Sequence, residues 1–417
     1  MAGGYLDRRR AATLMQGHGI DALVVLQPEN FQYVTGASPG VAALFRRAGA
    51  AMAVVPMDLA TTSSAVVTDL FAATFRAASD IVDIHVHPIW VESVDLRSID
   101  ATPDIRGRIA AANRRAGRDP GFSRPETFDQ RLAFGLLAEA LAKRGLAEAR
   151  LGVEFDFLPV ADLAALRAVL PRATFTDSSD VIRRCRMIKS PREIDWLRTG
   201  SALAEAGIAS LVREVREGVR RETLSEAWRD GARREAVVRG VANLTGIWDY
   251  VSVGPNPWGG SDVVRAGEPI KVDVGCVVAG YSSDGGRTFV LGKAGEGVAT
   301  IHAALLAAFE AGLAEIAPGR PLSAPHAALH RSMRQAGFAD FTRGHVGHGL
   351  GQSVFSEEWP FLSATCDIAF EPGMVIALEA PLYLDGVGGF IVEDQMLVTE
   401  SGVDIMNGLP RALIELP

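Results

Sequence analysis

Cysteine is scarce in this 417-residue sequence, which holds only Cys185, Cys276 and Cys366. Three widely spaced cysteines form neither a disulfide framework nor a zinc knuckle, which argues against a small secreted scaffold. The first residues carry arginines with no apolar stretch or cleavage site behind them, unlike a signal peptide. We therefore expect reduced thiols and a cytoplasmic protein.

An excess of positive charge is also missing. The chain has 42 Lys and Arg against 50 Asp and Glu, for a net charge of -8. Proteins that bind nucleic acids carry a basic footprint, and this sequence has none. No apolar run approaches the length of a membrane span. The expected partner is a small peptide or another small-molecule substrate, with no nucleic acid and no membrane.

The chain is long enough for two domains with a core in each. Strand-like and helix-like segments alternate through the first 180 residues, which predicts an α/β domain. A helix start follows, where Ser190 caps, Pro191 takes the first helical position and Glu193 completes a capping box. The strand-rich remainder forms a second unit, so we place the domains at 1–185 and 186–417.

Two pairs of carboxylates stand at matching places in two hairpin-like stretches. In the first, a loop over Val277–Gly280 would set Asp273 directly opposite Asp284. In the second, which is nearly symmetric about a central Asp-Gly, Glu379 would face Glu393. Opposed residues have Cβ atoms roughly 4.5–5.5 Å apart, so like charges there repel unless a cation lies between them.

A histidine among glycines, His348 in the run RGHVGHGLGQ, lies between the two hairpins. With the four acids it forms an oxygen-rich donor set that suits Mn, Co, Fe or Zn, and four carboxylates favour two ions. Two such ions would hold a bridging hydroxide and polarise a carbonyl group. The alternative is a set of solvated strand acids, since Lys271 shares a face with Asp273.

The second domain resembles the pita-bread metallopeptidases, which include prolidase, aminopeptidase P and methionine aminopeptidase, with creatinase as a relative. The matching stretches are VDVGCVVAGYSSDGGRTFVLG, GHGLG, PGMVIALEAPLY and GGFIVEDQMLVTESG. The first domain looks like the creatinase-type N-terminal domain through ALVVLQPENFQYVTG and the entry KSPREIDWLR. The resemblance implies an α/β (α+β) fold, in which this α/β domain precedes a pita-bread catalytic domain with a curved antiparallel sheet.

By position, the resemblance also implies five metal ligands: Asp273, Asp284, His348, Glu379 and Glu393. They would hold two divalent transition-metal ions (Mn, Co, Fe or Zn), and Glu379 would also carry the proton of the attacking water. Members of this group are often dimers in which the first domain covers the active site, so a homodimer is expected.

Accessory residues of peptidases in this group are missing. The loop before Asp273 has no histidine and carries Trp258 instead. A second histidine usually follows the Gly-His-Gly motif, but Glu357 or Phe355 stands there, depending on how two extra residues are aligned. The arginine that prolidases often carry two residues before the last glutamate ligand is Ile391.

The candidate catalytic groups are Glu379, from the resemblance, His345, which lies three residues before His348, and Glu357, which stands where the second histidine is missing. An imidazole beside the metal ions can donate a proton, whereas an ionised glutamate acts as a base. The candidate substrate-binding residues are aromatic: Trp258, Phe355 and Trp359. The alternatives are an exposed loop acid for Glu357 and core packing for the two tryptophans.

The intact ligand set favours a dinuclear hydrolase that cleaves an amide bond, as Xaa-Pro dipeptidase and aminopeptidase P do. The missing histidines and arginine leave a second hypothesis, a small-molecule hydrolase or lyase similar to creatinase or to dimethylsulfoniopropionate lyase. A third is a metal-binding module without catalysis, against which the complete ligand set argues.

Overall fold

The computed structural model describes residues 4–45, 47–91, 93–101, 104–118, 121, 123–258, 262–353 and 356–417. The chain divides into two compact units, one that ends at Cys185 and one that spans Arg186–Pro417. Buried apolar clusters form separately in each unit, one in the first and two in the second. Each unit therefore has its own hydrophobic core.

The first unit is built on one mixed sheet. Its helices are α1 (Arg8–Gly17), α2 (Pro28–Thr35), α3 (Ala72–Ala78), α4 (Ile105–Arg115), α5 (Gln130–Ala142), α6 (Val160–Val169) and α7 (Ser179–Arg186). Its strands are β1 (Ala22–Val25), β2 (Met52–Pro56), β3 (Ser64–Thr68), β4 (Asp83–His87), β5 (Arg150–Val153) and β6 (Thr174–Asp177). Among the described residues, the strand order is β4-β3-β2-β1-β5-β6. Strands β1 and β2 are buried along their whole length, which explains their unbroken apolar sequences.

The second unit is a larger sheet flanked by four helices among the described residues. These are α8 (Pro191–Val212), α9 (Arg221–Val238), α10 (Glu296–Leu313) and α11 (Ser323–Gln335). The strands are β7 (Leu244–Asp249), β8 (Ser252–Val253), β9 (Pro269–Val278), β10 (Tyr281–Ser282), β11 (Gly286–Leu291), β12 (His345–Gly349), β13 (Glu358–Ser363), β14 (Val375–Glu379), β15 (Leu382–Leu384), β16 (Gly388–Phe390), β17 (Glu393–Thr399), β18 (Gly402–Ile405) and β19 (Ile414–Leu416).

The central part of this sheet has the order β10-β9-β11-β17-β14-β12-β13. Every neighbouring pair along this path is antiparallel. Strands that are distant in the sequence, such as β9 and β14, therefore come within a few strand widths of each other. One face of the sheet can collect side chains from all of them.

Helix α8 begins at the predicted capping box. The Ser190 hydroxyl accepts a hydrogen bond from the Glu193 N–H, and a Glu193 carboxylate oxygen accepts one from the Ser190 N–H at 2.7 Å. Such a cap contributes about 1 kcal/mol of stability. The box fixes where the second unit starts its first helix.

The expectation that no apolar run approaches the length of a membrane span does not hold for helix α10. By length and composition alone, it is the one helix of the described residues that would be long and apolar enough to cross a membrane. Leu305, Ala308 and Phe309 of this helix are fully buried in a core cluster of the second unit. Helix α10 therefore packs as a core helix.

Candidate metal centre

The first carboxylate hairpin has a tighter turn than the sequence suggests. Ala279 and Gly280 make a two-residue loop with φ values of 54° and 87°, the conformation that matches strand twist. Asp273 consequently pairs with Gly286, so its predicted position opposite Asp284 is wrong by two residues. A shift of two residues keeps a side chain on the same face, so both acids still point to one side of the sheet.

Three of the acids and Gly286 form a row across four adjacent strands, and Asp284 lies two residues before Gly286. Asp273 on β9 pairs with Gly286 on β11, which pairs with Glu393 on β17, which pairs with Glu379 on β14. The pairing of Glu379 with Glu393 confirms the register predicted for the second hairpin. Gly286 has no side chain to add to the row, and a Cβ there would lie 2.8 Å from the Ile391 side chain, which occupies that space.

His348 reaches the row from β12, the strand next to β14. Its Nδ1 lies 3.0 Å from the carbonyl oxygen of Gly349, so Nδ1 carries the proton and donates it to that carbonyl. The Nε2 lone pair is then directed into the row, 3.6 Å from Asp284 Oδ2. This tautomer is the one that ligates a metal ion through Nε2.

Three of the five predicted ligands lie close enough to share one ion. Asp284, His348 and Glu393 are buried, and each offers a ligand atom within 4.8 Å of the other two. Burial raises the pKa of Asp284 and Glu393 well above the usual range, and the neighbouring carboxylates raise it further. Acids in this condition gain from a cation between them, so the donor set fits a divalent metal ion.

Asp273 and Glu379 stand beside these three ligands and have cationic partners of their own. Lys271 Nζ lies 3.4 Å from Asp273 Oδ2. The Arg343 guanidinium donates to both carboxylate oxygens of Glu379, at 2.8 and 2.9 Å. Lys271 is only 3% exposed, which contradicts the alternative that this face is solvated.

Arg343 is the residue that the sequence analysis missed. It lies two residues before His345 in the same glycine-rich run, and this period-two spacing on the approach to β12 was the available signal. Burial lowers the pKa of Arg343, but the adjacent Glu379 carboxylate more than offsets this, so the pKa is raised. The guanidinium therefore stays charged beside Glu379.

His345 connects the row of acids to Glu357. Its Nδ1 lies 3.4 Å from Glu379 Oε1, and its Nε2 lies 3.9 Å from Glu357 Oε1. Burial lowers the pKa of His345, and the two carboxylates only partly oppose that effect. The neutral imidazole is thus available to accept a proton next to Glu379.

Glu357 and Glu358 are neighbours with different surroundings. Glu357 is 40% exposed and lines a cavity beside the acids, whereas Glu358 is almost completely buried. Glu358 Oε2 lies 2.7 Å from Arg186, and Oε1 lies 3.1 Å from Lys189. Burial acts to raise the pKa of Glu358, but these two cations bring it below the ordinary value.

The cavity has a volume of about 280 Å³ and one aromatic side. Trp258 packs on Tyr383 with ring centroids 4.3 Å apart, and Tyr250 lines the same side. Trp359 is not among the residues found to line it, and packs against a core cluster. Phe355 lies outside the described residues.

Comparison with known proteins places this geometry in a family. Residues 195–400 match the metallopeptidase family M24, and residues 8–188 match the creatinase/prolidase N-terminal domain. The probable dipeptidase PepE of Mycobacterium tuberculosis is 30% identical over 323 residues, which cover 75% of this chain and 81% of that protein. The Xaa-Pro dipeptidase of Pyrococcus horikoshii is 26% identical over 269 residues, 63% of this chain and 74% of that protein.

A solved structure extends the similarity to the fold. The Xaa-Pro dipeptidase from Bacillus anthracis superposes with a TM-score of 0.76 at 20% identity, covering 98% of this chain and 99% of the other. Together with the antiparallel sheet that carries the acids, the matches confirm the expected fold and define a hydrolase with a pita-bread catalytic domain. The chain belongs to the metallopeptidase family M24.

Proposed function

We propose that this hydrolase cleaves the amide bond of small Xaa-Pro peptides at a divalent metal centre. The observation that carries the proposal is the buried set Asp284, His348 and Glu393, with its ligand atoms within 4.8 Å of one another. Two named relatives support the substrate class, since one is a probable dipeptidase and the other an Xaa-Pro dipeptidase. The cavity of about 280 Å³ suits a substrate of dipeptide size.

A divalent metal ion held by Asp284, His348 and Glu393 would supply Lewis acidity, which would polarise the amide carbonyl and make water a better nucleophile. Glu379 accepts the proton of the attacking water and passes it to the leaving amine. Arg343 holds both oxygens of Glu379, which fixes the direction in which that carboxylate presents its lone pairs. His345, 3.4 Å from Glu379, is placed to exchange a proton with it.

The remaining ligand assignments are part of the same proposal. Asp273 and Glu379 complete the five-ligand set, and two ions of Mn, Co, Fe or Zn are the stoichiometry that the resemblance implies. Trp258 and Tyr383 form the wall against which a substrate ring or side chain packs. A homodimer in the cytoplasm stays a prediction from the sequence.

The test is turnover of Xaa-Pro dipeptides and longer Xaa-Pro peptides by protein loaded with manganese. Release of free proline, or of the N-terminal residue, is the expected result, with Xaa-Ala peptides as the specificity control. Protein that binds metal but turns over none of these peptides would contradict the peptidase assignment.

A second candidate is a small-molecule hydrolase or lyase. The observation in its favour is that an acid, Glu357, lines the cavity that also has the aromatic wall of Trp258 and Tyr383. An aromatic wall beside an acid suits a cationic head group, and an ionised glutamate there abstracts a proton. Glu357→Gln would then abolish turnover, whereas unchanged turnover would exclude Glu357 as the base.

A binding module without catalysis is the third candidate, and metal analysis distinguishes it. A ligand that binds only the folded state raises the unfolding temperature. Purified protein with no transition metal, and with an unfolding temperature that added metal leaves unchanged, would favour this candidate over both enzymes.

A further inference from the structure

The charges around the metal centre divide its ligands into two groups. Asp273 and Glu379 each have a basic partner from the chain, Lys271 and Arg343 respectively. Among the described residues, Asp284 and Glu393 have no lysine or arginine within ion-pair distance. The ligands without a basic partner are also those that come together with His348 around one point.

Lys271 is held at this position by more than Asp273. Its Nζ lies 5.2 Å from the ring centroid of Tyr383 and 5.9 Å from that of Tyr250. Aromatic faces attract an ammonium group, and with 3% exposure the side chain has little access to water. The β9 strand places Lys271 two residues before Asp273, hence on the same face of the sheet.

The charge count then limits the number of metal ions. When they are ionised, as metal ligands must be, the four carboxylates carry four negative charges, and Lys271 and Arg343 bring two positive charges into contact with them. The two negative charges that remain are those one divalent ion neutralises. A second divalent ion would have to share Asp273 and Glu379 with the ammonium and guanidinium groups that already contact them, and the like charges would repel at these short distances.

We propose that the chain binds one divalent ion firmly, at Asp284, His348 and Glu393, and that Lys271 and Arg343 supply positive charge where a second ion would bind. A second ion enters only by displacing these side chains from Asp273 and Glu379, so its affinity is much lower. The inference rests on the metal dependence of the proposed function and is independent of the substrate.

The test is a count of bound metal. Protein is stripped with a chelator, and calorimetric titration with Mn²⁺ and with Zn²⁺ gives the number of binding steps. Elemental analysis after gel filtration then gives the ions retained per chain. We expect one retained ion in the wild-type protein, and a second step at least about 100-fold weaker, which corresponds to about 2.7 kcal/mol.

Variants separate the charge from the shape of the side chain. Lys271→Met keeps the length and removes the charge, so the second step should tighten by at least about tenfold. Lys271→Arg keeps the charge and should behave as wild type, and Arg343→Met should repeat the Lys271→Met result. Lys293→Met, at a lysine in the loop after β11, is the matched control and should change neither step.

Two results would overturn the inference. One is a wild-type protein that retains two ions per chain with affinities within about tenfold of each other. The other is a second metal-binding step whose affinity neither Lys271→Met nor Arg343→Met alters. If a variant does not fold, the number of ions that the wild-type chain retains decides alone. If the protein binds one ion but does not cleave Xaa-Pro peptides, only the peptidase assignment is contradicted. If it cleaves these peptides and holds two ions firmly, only this inference is contradicted.

Discussion

Glu154 in the first unit and Glu393 in the second are both almost completely buried, at 1% and 2% exposed. Glu154 accepts hydrogen bonds from the backbone N–H groups of Leu26 and Gln27 and from the Asn30 amide. Glu393 is surrounded instead by other acids, and both Asp284 and Asp273 raise its pKa beyond the effect of burial. The same side-chain type is thus buried in two opposite ways.

The difference shows how a structural acid can be distinguished from a candidate metal ligand. A buried carboxylate whose oxygens receive donors from the chain is satisfied by the fold, so no further group is needed. A buried carboxylate that faces like charges is satisfied only when a cation joins it. The second arrangement lowers the stability of the metal-free chain. Such a destabilising feature is retained at positions on which function depends.

The largest expected effect comes from removing one acid of the metal set. Asp284→Asn should lower turnover by at least about 10³-fold, because the lost Lewis acidity is worth several kcal/mol. The same substitution should stabilise the metal-free chain, since it removes a charge that Asp273 and Glu379 repel. Steady-state kinetics and chemical unfolding of stripped protein measure the two effects.

Glu154→Gln is the matched control in the other unit. It should leave turnover unchanged and, at about pH 4.5 where Glu154 is protonated in the folded chain, destabilise the chain by about 1–3 kcal/mol, since an amide offers one acceptor oxygen where Glu154 uses two. If Asp284→Asn raises the unfolding free energy of the metal-free chain and Glu154→Gln lowers it, the distinction between the two kinds of buried acid is supported. A loss of stability in metal-free Asp284→Asn would show instead that this carboxylate is structural.

The adjacent acids Glu357 and Glu358 test the same distinction within a single loop. Glu358→Gln should destabilise the chain by roughly 3–5 kcal/mol, because it removes the buried negative charge that Arg186 and Lys189 contact. Glu357→Gln, at an exposed side chain, should change stability by less than about 0.5 kcal/mol. Urea unfolding of the two variants compares them directly, and equal losses would refute the separate roles.

The fold could be predicted from the family resemblance, and parts of the candidate metal centre could be predicted from local patterns in the sequence. The capping box at Ser190 and the pairing of Glu379 with Glu393 follow from spacing alone. The Asp273 register failed because it depends on Ala279 adopting a positive φ, which is uncommon for alanine. Arg343 was missed because its contact with Glu379 joins residues 36 positions apart, and its period-two spacing from His345 indicates a shared face but not the partner.

The pH dependence of stability offers a smaller test of the Glu154 environment. Burial raises the pKa of Glu154 to about 7 from an ordinary value of 4.5, against the hydrogen bonds that lower it. The folded state then holds a proton that the unfolded state has lost between these two values, so stability falls as pH rises through that window. The loss reaches about 3 kcal/mol above pH 7 and is absent below pH 4.5.

The measurement is the difference in unfolding free energy between the wild-type protein and Glu154→Gln from pH 4 to 8. The difference cancels contributions from the acids of the metal centre. The stability advantage of the wild type should shrink as pH rises through this range. An advantage that stayed constant or grew with pH would mean that the three hydrogen bonds outweigh burial and keep Glu154 ionised.

A small effect is also expected at Glu193, an acid of the second unit that is buried in the manner of Glu154. One Glu193 oxygen accepts from the Ser190 N–H and the other from the Tyr281 hydroxyl, at 2.7 and 2.9 Å. Glu193→Gln should cost only about 1 kcal/mol, because the Tyr281 hydroxyl can rotate to accept a hydrogen bond from the new amide. Tyr281→Phe removes that option, so adding Glu193→Gln to it should cost more. The loss of unfolding free energy caused by Glu193→Gln should be the same with metal present and absent, since this acid is satisfied by the fold alone. A loss that depended on metal would show that Glu193 behaves like the acids of the metal centre. It would contradict the distinction drawn between the two kinds of buried acid.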